Sequence, residues 1–364
     1  MAKGKDAGNV TTEEALQAIQ AGTLVEPPAG MVTLPPTLAE GMEASLARME
    51  RRATGQEKPL PLPWPGLAAQ LGGGLWPQTF TLLVGTTGSG KSQLAVQASL
   101  HAARQGTPVL YVALELDRLG MHARTLALAL RDDGPKHAPK WSELYLGEDR
   151  DAVARARKVS LEVAALPFHL EVGDIRGWSY SYLHGLAEGM RLKYGKPFLL
   201  VLDFLQLVDG GGDSDDRDMR LRMKNAANAG REVARRVEGA TVFYLSGTSR
   251  ENYATLTGEE SKDKKGKPTK TTPLGQGNPA RLVGAAKESG DVEYGADALL
   301  VLASEPWPGD GNAPPPDGTH AWVAVAKVRA KARSAGVRPG WVALRFDGSC
   351  FHEPPGVNLL PVTL

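Results

Sequence analysis

Phe80-Thr-Leu-Leu-Val-Gly85-Thr-Thr-Gly-Ser-Gly-Lys-Ser92 is the stretch on which the fold of this chain turns. Phe80 to Val84 is a short apolar, β-prone run. Gly85, Thr86, Thr87, Gly88, Ser89, Gly90, Lys91 and Ser92 then spell G-x-x-x-x-G-K-[ST], and a helical pattern begins near Lys91 or Ser92. Strand, glycine-rich loop and helix in that order form the context in which this motif cradles phosphates. Glycines let backbone N–H groups wrap the phosphate oxygens, and the helix N-terminus adds partial positive charge. Lys91 reaches the β- and γ-phosphates, and the Ser92 hydroxyl is suited to Mg²⁺. The expected ligands are ATP and Mg²⁺.

Downstream, short apolar runs alternate with helical patterns: Val109 to Leu114, Phe168 to Val172, Phe198 to Leu202, Val242 to Ser246 and Ala298 to Leu302. That alternation predicts an α/β fold, a mostly parallel sheet with helices on both faces. Ala321 to Val328 and Trp341 to Phe346, joined by a basic loop, predict a C-terminal antiparallel hairpin at the sheet edge.

Three candidate sites accompany the loop. Phe198-Leu-Leu-Val-Leu-Asp203 ends an apolar strand in a carboxylate, which suits a residue that holds Mg²⁺ through its water shell. Glu115 follows Val109 to Leu114 and so emerges at the carboxyl end of a strand, where open α/β sheets bind ligands. A carboxylate there polarises the water that attacks a γ-phosphate. Glu171 also closes a strand and competes for that role. Lys327 and Arg329 stand at i and i+2 on a strand end, so both point to one face. Two such cations, followed by Lys331, Arg333 and Arg338, suit charge developing on a γ-phosphate supplied by another protomer.

The composition is that of an ordinary globular protein: 364 residues, 42% hydrophobic and 23% charged. Lys plus Arg (42) against Asp plus Glu (41) leaves a net charge of +1, so any polyanion site has to be local. The single cysteine, Cys350, excludes an intrachain disulfide framework and a Cys-rich zinc site. Lys3 and Lys5 are followed by no apolar segment, and no run of about 18 apolar residues occurs, so no membrane span and a cytoplasmic location are expected. Residues 1–65 are expected to form a separate N-terminal piece, with helices over Thr11 to Gln20 and Thr37 to Arg52 and a proline-rich linker from Lys58 to Pro65. Residues 66–353 are the expected main domain and 354–364 a tail.

Between about residue 60 and residue 353, several ordered pieces resemble the ATPase domain of the DnaB-type hexameric replicative helicases, within the RecA-like ATPases. Gly72-Gly-Gly-Leu-Trp-Pro77 is similar to the approach to that family's first strand. Ala113-Leu-Glu-Leu116 resembles the S-L-E-M segment that bears its catalytic glutamate, and Leu202-Asp-Phe-Leu-Gln-Leu207 resembles I-D-Y-L-Q-L. Lys287-Glu-Ser-Gly-Asp-Val-Glu-Tyr-Gly-Ala-Asp297 resembles R-E-S-G-x-I-E-x-x-A-D, and Ala326-Lys-Val-Arg329 the K-x-R that reaches a neighbouring subunit's nucleotide.

The resemblance implies a RecA-like P-loop core, Glu115 as catalytic base, Asp203 with Ser92 at Mg²⁺, and Lys327 and Arg329 acting in trans. It further implies a homo-oligomer, a hexameric ring moving 5′→3′ on single-stranded DNA, with a primase or loader partner left unidentified. Asp209 to Asp218 and Leu256 to Pro279 fall where that family's DNA loops lie, and the helix near Thr37 to Arg52 where its linker helix packs on an adjacent subunit. Two departures stand out. Gly247 replaces the glutamine that senses the γ-phosphate, leaving Thr248 and Ser249 as the nearby hydroxyls, and the N-terminal region is short. Both favour an accessory, phage-like or mobile-element relative, and leave open a recombination mediator on DNA or a regulatory ATPase acting on a protein.

Overall fold

The computed structural model describes residues 37–133, 138–173, 180–203, 219–248, 256, 278–285, 295–305, 319–328 and 340–356. The helix expected over Thr11 to Gln20, the segment Asp209 to Asp218, the motif residues Lys287 to Tyr294, and Arg329 lie outside these, as does nearly all of Leu256 to Pro279. The chain forms two compact units, Met1–Glu57 and Lys58–Leu364.

In the first unit, α1 (Leu38–Ala53) opens with a capping box. The Thr37 hydroxyl accepts the Glu40 N–H at 3.3 Å while the Glu40 carboxylate accepts the Thr37 N–H at 2.6 Å, satisfying two donors that a helix start leaves free. Past its end, Glu57 folds back onto Arg48 and Arg52, at 3.0 and 2.7 Å. Leu38, Met42, Leu46 and Met49 recur at helical spacing and are all exposed.

The second unit begins earlier than the expected boundary at residue 65. Leu60 bridges to Leu75, and the Trp64 indole, 1% exposed, donates to the Phe351 carbonyl at 3.0 Å. Two large apolar side chains drive this proline-rich segment onto the core, and Pro65 then opens α2 (Pro65–Gln70).

The sheet has nine strands in the order β3-β2-β4-β5-β1-β6-β7-β8-β9. Six are parallel: β1 (Phe80–Gly85), β2 (Val109–Ala113), β3 (Phe168–Val172), β4 (Phe198–Asp203), β5 (Ala240–Gly247) and β6 (Ala298–Ser304). β7 (Thr319–Val328), β8 (Trp341–Phe346) and β9 (Phe351–His352) continue antiparallel, which contains the expected hairpin and adds a strand to it.

Pleating sends alternate residues of each strand to opposite faces, and both faces are covered. Phe80, Leu82 and Val84 of β1 join Phe198, Leu200 and Leu202 of β4 in one core, closed by α7 (Tyr180–Tyr194) and α8 (Met219–Arg236) through Leu183, Met190, Met223 and Val233. Leu83, Tyr111, Leu199 and Val201 face the other core, closed by α3 (Lys91–Arg104) and α4 (Arg118–Asp133) through Leu94, Leu100, Met121 and Leu128. α5 (Trp141–Leu146) and α6 (Arg150–Ala164) pack on α4 around Ala127 and Leu130. Among the described residues no helix is long and apolar enough to cross a membrane.

Candidate nucleotide site

β1 is flanked by β5 and β6, so the loop after it emerges at the centre of the carboxyl edge of the parallel strands. Gly85 has no room for a side chain: a Cβ there would stand 2.8 Å from Ser89 Oγ and 2.9 Å from the Leu302 carbonyl oxygen. Gly90, at φ +90°, is the N-cap of α3, and a Cβ on it would meet Phe351 Cζ at 2.7 Å. That left-handed turn aims the first N–H groups of α3 into the loop. Lys91 is 9% exposed, and its ammonium donates to the carbonyls of Gly85 at 3.0 Å and Thr86 at 2.7 Å. Burial lowers its pKa to about 8, against the pull of Asp203 and Glu115.

The C-terminal strands fix the helix that carries this loop. Gln93 Nε2 donates to the Ser349 carbonyl at 2.5 Å, Gln97 Nε2 to the Phe351 carbonyl at 2.8 Å, and the Phe351 N–H to Gln97 Oε1 at 2.9 Å.

Asp203 closes β4, buried, on the same face as Tyr111 and α3. Its Oδ2 accepts the Tyr111 hydroxyl at 2.8 Å, and Ser92 also hydrogen-bonds it. Burial raises its pKa; the bonds from Ser92 and Tyr111 pull it back, Glu115 adds to the rise, and Lys91 opposes it. A hard divalent cation suits this pair of oxygens, because it would supply the charge that the buried carboxylate lacks. The Leu114 N–H donates to the Asp203 carbonyl at 2.7 Å, which sets Glu115 beside the end of β4, exposed, with its charge felt by Lys91 and Asp203. Glu171 lies on β3, one strand farther from the loop than β2 and paired with Val112. Glu115 is the better placed of the two.

The remaining sequence candidates separate. Lys327 pairs with Leu299 on β7, while Arg329 is outside the described residues. The Thr248 hydroxyl is buried and donates to the Ala285 carbonyl at 2.5 Å, so it is engaged away from any phosphate; Ser249 is not described. Asp297 caps the other end of β1: its carboxylate accepts the Phe80 N–H at 3.0 Å, and its own N–H donates to the Phe80 carbonyl at 2.7 Å.

Sequence reading missed three contributors. Tyr111 was legible as the one polar-tipped residue in Val109-Leu-Tyr-Val-Ala113. Arg124 and Trp141 carried no signal, because only the packing of α4 on α5 joins them. Trp141, with Phe346, Phe351 and Glu305, lines a cavity of about 330 Å³ that opens onto Gly88 and Ser89. A larger cleft of about 700 Å³, lined by Leu126, Arg150 and Arg157, includes no residue of the loop or of the carboxylate pair.

A phosphate loop after β1, a buried carboxylate on β4 and a carboxylate after β2 define a nucleotide site of the P-loop class. In agreement, the family model described as AAA domain matches residues 67–246. The fold is that of the ATPase domain of DnaB-like helicases. It is similar to a solved structure described as an isolated ATPase domain, with a TM-score of 0.61 at 17% identity, covering 88% of this chain and 100% of that one. It is similar also to a DnaB-like replicative helicase studied for its interactions with primase, with a TM-score of 0.61 at 16% identity, covering 93% of this chain and 71% of that one. Comparison with curated protein sequences gives no match.

Proposed function

We propose that this chain is an ATPase that works as a DNA-stimulated motor, an oligomeric ring, hexameric by its likeness to DnaB-type helicases, moving on single-stranded DNA. The observation that carries the proposal is the convergence of Lys91, Ser92, Asp203 and Glu115 at one edge of the sheet.

Gly85 to Ser92 would wrap the triphosphate of ATP, and Ser92 and Asp203 would hold Mg²⁺, which supplies positive charge between the β- and γ-phosphates. Glu115 takes a proton from water as its oxygen bonds to the γ-phosphorus, while the bond to the bridging oxygen breaks and ADP leaves. Lys91 neutralises charge that accumulates on the phosphates. Lys327 and Arg329 would complete the site of a neighbouring protomer. The exposed stripe Leu38, Met42, Leu46 and Met49 on α1 supports assembly, since an amphipathic helix with no buried residue of its own suits a second copy of the chain.

The nucleoside has one well-formed place to go. The carboxylates lie on β4 and after β2, on one side of β1, and the cavity beside Gly88 and Ser89 lies over β6 and β8, on the other. A triphosphate with its γ end at Glu115 directs its nucleoside end toward Trp141 and Phe346.

Gly247 favours a second reading, a DNA-binding or protein-regulating ATPase that switches without translocating, because Thr248 is committed to Ala285 and does not replace the missing amide. Steady-state ATP hydrolysis with and without single-stranded DNA, with Lys91→Ala as the blank, separates the two. Stimulation that vanishes in Lys91→Ala supports the motor; hydrolysis indifferent to DNA rules it out.

A further inference from the structure

Arg124 is a buried-facing cation to which the site described so far assigns no role. It sits on α4, the helix entered just after Glu115, and turns back toward that helix's start, with Nη1 3.4 Å from the Gly120 carbonyl. Its Cζ lies 3.6 Å from the centre of the Trp141 ring, and its Nε is buried with no hydrogen-bond partner among the described residues. Gly120 leaves the space: a Cβ there would stand 2.8 Å from Asp117 Oδ1 and 3.7 Å from Arg124 Nη1. Asp203, Glu115 and Asp117 are the carboxylates whose charge acts on this guanidinium. Trp141 is also a wall of the cavity beside Gly88 and Ser89, and the segment leading into it is tied to the C-terminal turn by the bond from Ser349 Oγ to the Pro139 carbonyl, 2.8 Å.

One indole thus touches both the cavity and the cation that faces the hydrolytic carboxylates. We propose that Arg124 and Trp141 form a positioning pair through which a nucleoside in the cavity speeds hydrolysis at the γ-phosphate end, and does not merely tighten binding. This rests on the ATPase reading above. A guanidinium is planar and stacks on an aromatic face, so fixing the ring fixes the cation. An occupant lying against Trp141 restrains the ring, and with it the position of Arg124 in the field of Glu115 and Asp203. Inorganic tripolyphosphate carries the same three phosphates and cannot fill the cavity.

The test compares kcat and KM for Mg-ATP and Mg-tripolyphosphate in the full chain, in Arg124→Gln, Trp141→Leu and Trp141→Phe, with Lys91→Ala as control. Wild type is expected to turn over ATP about tenfold faster than tripolyphosphate, the scale of one cation–π contact. Arg124→Gln and Trp141→Leu bring that ratio of kcat values near unity, and Trp141→Phe, which keeps a ring, retains it. A wild-type ratio of unity, or a ratio unchanged in Arg124→Gln, overturns the proposal, as does a parallel loss with both substrates, which is the mark of packing damage. If Trp141→Leu does not fold, Arg124→Gln and Trp141→Phe decide. Hydrolysis that survives Lys91→Ala indicts the ATPase reading instead.

Discussion

Tyr111→Phe deletes one oxygen and tests the electrostatics at the centre of the site. In the protein, the Tyr111 hydroxyl donates to Asp203 Oδ2 at 2.8 Å, and both side chains are buried. A hydrogen bond to a charged partner contributes about 1.5–3 kcal/mol, and its loss leaves a buried carboxylate oxygen short of a donor. The pH dependence follows from Asp203. Its folded pKa lies above the ordinary 3.8, so its contribution is fully present below that value and is lost as pH rises through the raised one. The Tyr111 bond works against this loss by favouring the ionised form. In Tyr111→Phe the folded pKa rises further, and the deficit is greatest where Asp203 must be charged. Urea unfolding in chelator, free of Mg²⁺, should show a deficit of about 1.5–3 kcal/mol near neutral pH that shrinks toward about 0.5–1.5 kcal/mol in acid, where the bond joins two neutral groups. A deficit that is constant with pH, or absent at neutrality, would refute the reasoning.

Four further outcomes are expected. Lys91 loses its proton near pH 8 in the nucleotide-free protein, well below the ordinary 10.5, so a fluorescent ATP analogue should bind more weakly as pH rises past 8, and a flat titration contradicts this. The same lowered value means that Lys91 costs stability while charged, and the cost fades as pH climbs from about 8 to 10.5. Gly90→Ala combines a left-handed backbone with a collision against Phe351 and should cost about 2–4 kcal/mol in thermal or urea unfolding; an unchanged midpoint would show that the ring does not sit there. Arg329→Ala should abolish hydrolysis while the assembly stays intact, and mixing it with Lys91→Ala subunits should restore part of the rate, since each then supplies what the other lacks. Replacing Leu46 and Met49 with Glu should dissociate the oligomer in sedimentation without unfolding the second unit, because both side chains are exposed on α1.

Much of the site is legible in the amino-acid sequence because its chemistry is local. Gly85 to Ser92 needs only consecutive residues to build its cradle, and Phe198 to Asp203 announces a buried strand that ends in a charge. The parallel order, the crossovers and the C-terminal hairpin follow from alternating apolar runs, since a strand buried on both faces cannot carry polar residues. The linker was misjudged for the converse reason: prolines forbid a helix over Lys58 to Pro65, but whether Trp64 is buried depends on Phe351, 287 positions away.

By itself, then, the sequence determined the phosphate loop, the Mg²⁺ carboxylate and the α/β class, each being a property of short segments and their periodicity. Only the tertiary structure decided between Glu115 and Glu171, because strand order places β2 nearer to β1 than β3. It alone seated Phe351 beneath Gly90, gave Asp203 its Tyr111 donor, and brought Arg124 against Trp141. Those contacts join residues far apart in the chain, and their energies come from burial and close packing, which no local pattern records.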